Sequence, residues 1–392
     1  MRTEHEPARG AAAPDVEVWA SGRERYLDHL KVLLVAAIIA LHGVAGYSSL
    51  DVWTYGVVRE VTLAPVTEIG FLLLVGPFAF FMIALLFLVA GLLTPRSLER
   101  KGVRHFVRAR LIRLGVPFAV FVGFVQPALT YALYRPLGHD QRSYWEEMVS
   151  AEGQIDTGPV WFVGVLLIYS LTYAAYAALR GRRPHPSRPI RMRRLVLLAV
   201  LVAPPTFLIR LLYPAGSEAG FSDLNLWQWP ECIALFALGI SASAQGWVRA
   251  VPNDLYRGSR TVTLAAVVAF GGLALTAGAS DRVEELRGGW NWLALGFAAV
   301  ESVLTVFGPV WALGLAQHRL GRPFWQDARL GRTAYAAFMV QGLVLIGLAV
   351  ALRPTPLPAE VKALLVAGFG VVGSFALAWG LIRWVPGLRR VL

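Results

Sequence analysis

DHLKVLLVAAIIALH, residues 28–42, is an apolar run with ionisable residues at both ends, and it decides the fold class. Its length, with the residues on either side, suits a helix that crosses a membrane. Lys31 and His42 stand eleven residues apart. At 100° per residue that is close to three full turns, so both side chains leave one helix face, about 16 Å apart along the axis. One lies near a membrane surface and the other well inside. An ionisable group at that depth is costly and is therefore a functional candidate. The alternative is that Lys31 merely extends its amine to the interface while His42 hydrogen-bonds within a bundle.

The rest of the chain fits that reading. Of 392 residues, 56% are hydrophobic and 16% charged, and the mean hydropathy is +0.55. An all-α polytopic membrane protein follows, since a bilayer admits helices that satisfy their own backbone groups. The net charge of +12 lies in short loops between apolar runs, where it serves orientation rather than nucleic-acid binding. A single cysteine, Cys232, excludes an intrachain disulfide framework and a cysteine-based zinc site, and no metal is expected. Residues 1–22 lack periodicity and read as a disordered cytoplasmic tail without a cleavable signal, leaving 23–392 as one membrane domain.

Ten apolar runs recur, near 27–49, 70–93, 114–134, 159–179, 195–213, 229–246, 261–279, 290–316, 331–352 and 361–383. Pro309 marks a candidate break in the eighth. The segments 94–113, 180–194, 247–260, 317–332 and 383–392 hold 24 Lys and Arg; the alternate segments hold six. By the positive-inside rule, ten spans then place both termini in the cytoplasm. The largest outer loop, 135–158, is expected to form a short amphipathic piece.

Further ionisable groups fall inside spans. Glu301, in the eighth, is a possible partner for His42. Arg210 and Glu231, at the outer ends of the fifth and sixth, are functional candidates that equally suit a structural ion pair with each other. Asp28 sits one turn before Lys31 and is placed to pair with it. On the cytoplasmic side, RSLERKGVRHFVRARLIRLGVP carries Arg110 and Arg113 one helical turn apart, a spacing that lets two guanidinium forks grip phosphate oxygens. Arg104, His105 and Arg108 extend the patch, which would also suit anionic lipid. No Walker loop, His-Glu-x-x-His or Gly-x-Ser-x-Gly is present.

In order along the chain, these pieces resemble the acyltransferase-3 family of integral-membrane O-acyltransferases. Lys31-x10-His42 resembles the family's basic-x10-His signature, FFMIALLFLVAGLLTPRSLERKG its second helix, and RLIR at 110–113 its Arg-x-x-Arg motif. GPVWFVGVLLIYSL, with Trp161 and Phe162, resembles the opening of its fourth helix, and RTAYAAFMVQGLVL its ninth. The resemblance covers about residues 23–385. Two departures stand out: Ala90-Gly91-Leu92 replaces a frequent Ser-Gly-Phe, and Gln341 replaces a frequent histidine.

The resemblance implies acyl transfer, with acetyl as the expected group, from cytoplasmic acyl-CoA to a hydroxyl of a cell-envelope or exported glycan or glycoside. The expected setting is a bacterial cytoplasmic membrane. Arg110 and Arg113 would hold the CoA phosphates, with Lys31 near the thioester or pyrophosphate. His42 would act as general base, Lys31 and Glu301 as its catalytic partners, and Trp161, Arg210 and Glu231 as contacts to the acceptor. A separate extracytoplasmic acyl-handling protein is a further expected partner, besides membrane lipid. The rival reading is a proton-coupled transporter or flippase with His42, Glu301, Glu231 and Arg210 as a relay.

Overall fold

The structure is a computed structural model that describes residues 15–49, 54–134, 143, 156–180, 189–217, 224–321 and 328–385. Among these, every regular element is helical. The long ones are α1 (Asp15–Ala45), α2 (Pro65–Lys101), α3 (Val103–Leu133), α4 (Trp161–Arg180), α5 (Met192–Ile209), α6 (Trp229–Ala244), α7 (Asn253–Ala279), α8 (Trp292–Arg319), α9 (Ala328–Leu352) and α10 (Ala359–Trp384). Nine are long and apolar enough to span a membrane; the exception is α6, with 16 residues. At about 1.5 Å per residue α6 covers about 24 Å, short of a full hydrocarbon core. The chain is a multi-pass membrane protein.

Several helices outrun their apolar segments. The first begins at Asp15, so residues 15–22, expected in the tail, are helical instead. Residues 1–14, and nearly all of the expected amphipathic loop 135–158, lie outside the described residues. Pro309 does not break α8, which runs continuously from Trp292 to Arg319. The third helix contains two π-helical stretches, Leu111–Gly115 and Phe121–Val125.

Close packing depends on glycine. Gly91 of α2 and Gly239 of α6 face each other's backbones: a Cβ on Gly91 would overlap the Phe236 carbonyl, and one on Gly239 the Leu88 carbonyl. In lipid, where apolar surface gains little by leaving the solvent, such backbone approach is what holds helices together. It explains Ala90-Gly91-Leu92 by contact rather than chemistry. Likewise a Cβ on Gly43 would lie 2.9 Å from the Ala367 backbone, bringing α1 onto α10 beside His42. One packing group joins α1, α9 and α10, and another joins α2, α5, α6, α7 and α8.

The loops sort into two ends. At one, Tyr26 donates to the Val248 carbonyl (2.8 Å), Gln317 donates to the Trp247 carbonyl (2.8 Å), and His29 Nδ1 meets the Leu320 carbonyl (2.9 Å). At the other, Lys362 pairs with Glu60, Ala64 N–H donates to Glu360, and Ala215 N–H donates to the Arg287 carbonyl. Thus segments rich in Lys and Arg bond among themselves, and so do the segments poor in them.

Candidate functional site

His42 lies in the last turn of α1, and its Nδ1 is 2.9 Å from Gln341 Oε1 on α9. With the amide oxygen as acceptor, Nδ1 carries the proton and Nε2 the lone pair that a general base needs. The glutamine does what was expected of Glu301. Glu301 is instead ion-paired with Arg210 (2.6 Å), both side chains inside the α5–α8 contact at 0% and 2% exposure. A carboxylate beside a guanidinium is already compensated, which leaves orientation of the imidazole to a neutral amide.

A narrow cleft beside His42, too tight in this structure to admit a water molecule, is lined also by Gly43, Gly46, Tyr47, Tyr55, Leu345, Ala349 and Val366. Beside it stands a network of side chains the sequence reading did not single out. Tyr47 and Tyr55 meet edge to face at 5.6 Å. The Tyr55 hydroxyl donates to Glu60 Oε2 (2.6 Å), and Lys362, 1% exposed, donates to Glu60 Oε1 (2.6 Å). Burial pushes the Tyr55 phenol up from its ordinary value, with the bond to Glu60 adding to the rise. A lysine in the apolar start of α10 was the one available signal for this network.

Lys31 is paired with Asp28 at 3.2 Å, as its spacing allows, and both side chains remain more than 40% exposed. It stands at the opposite end of α1 from the cleft. Near that end, where Tyr26 feels the charge of Arg96, α2 delivers Arg100 and Lys101 and α3 delivers Arg110 and Arg113. Lys101 and Arg110 each feel the charge of Arg113, and among the described residues none of these four cations is paired with a carboxylate. Such a cluster attracts phosphate.

Arg110 is fixed by a hydrogen bond to Thr94 Oγ1 (3.2 Å) and by the face of Phe106, 5.1 Å from its guanidinium. Arg113 is exposed and begins a different winding, because the π stretch starts at Leu111. The turn that separates the two arginines is therefore not a regular α-turn. π-helical insertions of this kind recur at functional sites.

Trp161 opens α4, buried at 9% exposure. The turn before it is set by Asp156, which accepts from Gln126 Nε2 and Gly158 N–H, both at 2.7 Å. Gly158 has φ +47°, and a Cβ there would press on the Gln126 amide. Phe162 packs edge to face on Phe338 (4.9 Å), one turn before Gln341 on α9. The GPVWF turn thus braces the helix that orients His42. Arg210 and Glu231, expected either to face the acceptor or to pair with each other, are 2% and 3% exposed and turn inward, and the ion pair Arg210 makes is with Glu301.

A family model described as an acyltransferase domain, acyltransferase 3, matches residues 24–383. No curated protein and no solved structure matches the chain.

Proposed function

The chain belongs to the acyltransferase-3 family of membrane acyltransferases, and on that premise we propose that it moves an acyl group from acyl-CoA to a hydroxyl, with His42 as general base. The observation that carries the proposal is the His42–Gln341 hydrogen bond at the foot of the cleft. It fixes the ring and its tautomer, which a base on a hydroxyl requires. The acceptor hydroxyl loses its proton to Nε2 as its oxygen forms the ester bond; the thioester C–S bond breaks, and the CoA sulfur leaves as thiolate and takes up a proton.

The cations Arg100, Lys101, Arg110 and Arg113 would hold the CoA phosphates, with Lys31 at the same end and acetyl as the expected group. By the positive-inside rule that end faces the cytoplasm, and the cleft faces outward to a glycan or glycoside acceptor. Trp161 acts through the bracing of α9.

The test uses purified protein in liposomes with labelled acetyl-CoA. Wild type should bind acetyl-CoA and release CoA when acceptor is supplied. Arg113→Ala should raise the apparent KM for the donor several-fold with little change in kcat. Absence of any CoA binding would sink the proposal and favour a transporter.

A further inference from the structure

Away from the His42 cleft, where α5, α6 and α8 meet, the bundle buries three charged side chains. Arg210 caps the end of α5, Glu231 stands in the first turn of α6, and Glu301 is in α8; none is more than 3% exposed. Arg210 Nη1 is 2.6 Å from Glu301 Oε2. Its guanidinium is also held between the rings of Trp227 (5.2 Å) and Phe297 (5.6 Å). Glu231 accepts a long bond from Thr206 Oγ1 (3.5 Å), one turn before Arg210 on α5, which sets it beside the Arg210–Glu301 pair. Among the described residues, the buried Cys232 thiol is a further titratable neighbour.

The charge count does not close. Two carboxylates face one guanidinium, so with both ionised the cluster would bury a net negative charge, which a low-dielectric interior opposes. Two neighbouring buried carboxyl groups that, among the described residues, share one ion-paired guanidinium resolve this by holding a proton between them. We propose that Glu231 and Glu301 form a buried carboxyl pair that holds one exchangeable proton, anchored by Arg210, as a second site of proton chemistry apart from His42.

Its use rests on the acyl-transfer reading. That reaction removes a proton from a hydroxyl at one place and adds one to a thiolate at another, so a held proton inside the bundle is a natural store between the two steps. The transfer itself is balanced: a proton arriving at one carboxylate is matched by one leaving the pair.

The test is infrared difference spectroscopy on the full chain in lipid nanodiscs. Wild type should show a protonated-carboxyl band that shifts in heavy water. Glu231→Gln and Glu301→Gln should each abolish it, because either variant leaves one carboxylate balancing Arg210. Both should keep the fold, since each is neutral as a cluster. A band that survives in both variants, or stabilisation of wild type by sodium or potassium with both carboxylates ionised, would overturn the proton site. In the labelled acetyl-CoA assay, Glu301→Gln should lose at least about tenfold in transfer while binding acetyl-CoA normally. Transfer at the wild-type rate would overturn the proton's use in the reaction. The infrared outcome stands whether or not the protein transfers acyl groups, so the two failures are distinguishable.

Discussion

His42 is one imidazole whose chemistry depends on an amide 299 residues away in sequence. Removing a general base typically costs about 10²- to 10⁴-fold, so His42→Ala should abolish measurable transfer while the protein still inserts and binds acetyl-CoA. Gln341→Leu should act differently: the ring stays but loses the bond that orients it, so kcat falls about tenfold while the donor KM holds. An equal loss in donor binding would point to general disruption of α9. His42 was legible in sequence because a histidine within an apolar run is conspicuous. Its partner was not, because glutamine reads there as the loss of a titratable group, and contacts between the first and ninth helices leave no trace in spacing. Thr94 was hidden the same way. Its hydroxyl reaches Arg110, one turn after the Ala90-Gly91-Leu92 segment where a hydroxyl had seemed missing.

At the scale of elements, each of the ten apolar runs coincides with a long helix among the described residues, nine of them long and apolar enough to span a membrane, but hydropathy did not give their ends. An apolar run reports the part of a helix that meets hydrocarbon, whereas backbone hydrogen bonding continues into polar turns. Thus α2 extends to Lys101 and α3 begins at Val103, carrying both basic helix ends beyond the apolar runs. The π stretches in α3 left no signal either, since they change winding without changing composition. Helix contacts were legible only as small residues, and Gly91 with Gly239 shows what those residues do. Gly91→Leu should separate α2 from α6, because its side chain would have to displace the Phe236 carbonyl. Overpacking of this sort costs about 1–3 kcal/mol or more, so a drop in thermal stability of the detergent-purified protein is expected. Gly272→Ser, at a helical position with open space around it, is the control for glycine replacement as such.

The whole molecule is tied at its two ends by unlike chemistry, and each end makes a prediction. At the cleft end, Glu60 lies in the loop before α2. Burial alone would raise its carboxyl, but the bonds from Lys362 and Tyr55 outweigh that and hold it below its ordinary value. A depressed value in the fold means the contribution is present above the unfolded carboxylate value, about 4.5, and is lost as pH falls through the folded value. Wild-type melting temperature should therefore drop as pH falls below that point. Lys362→Met should flatten the dependence, and an unchanged slope would show that the pair contributes nothing.

The other end is set by where Lys and Arg fall. Hydrogen bonds from Tyr26, His29 and Gln317 gather the basic loops on one side, while Glu60, Glu360 and Arg287 gather the remaining ones on the other. The positive-inside rule then assigns the basic side to the cytoplasm. Cys232, the only cysteine, is buried, so introduced cysteines report with little background. Ser280 and Ala250 are both exposed, the first in a loop poor in basic residues and the second in a basic one. A membrane-impermeant maleimide on intact cells should label Ser280→Cys at once and Ala250→Cys only after permeabilisation. The reverse pattern would put the cation cluster outside, where cytoplasmic acyl-CoA cannot reach it, and would remove the donor side of the proposed reaction.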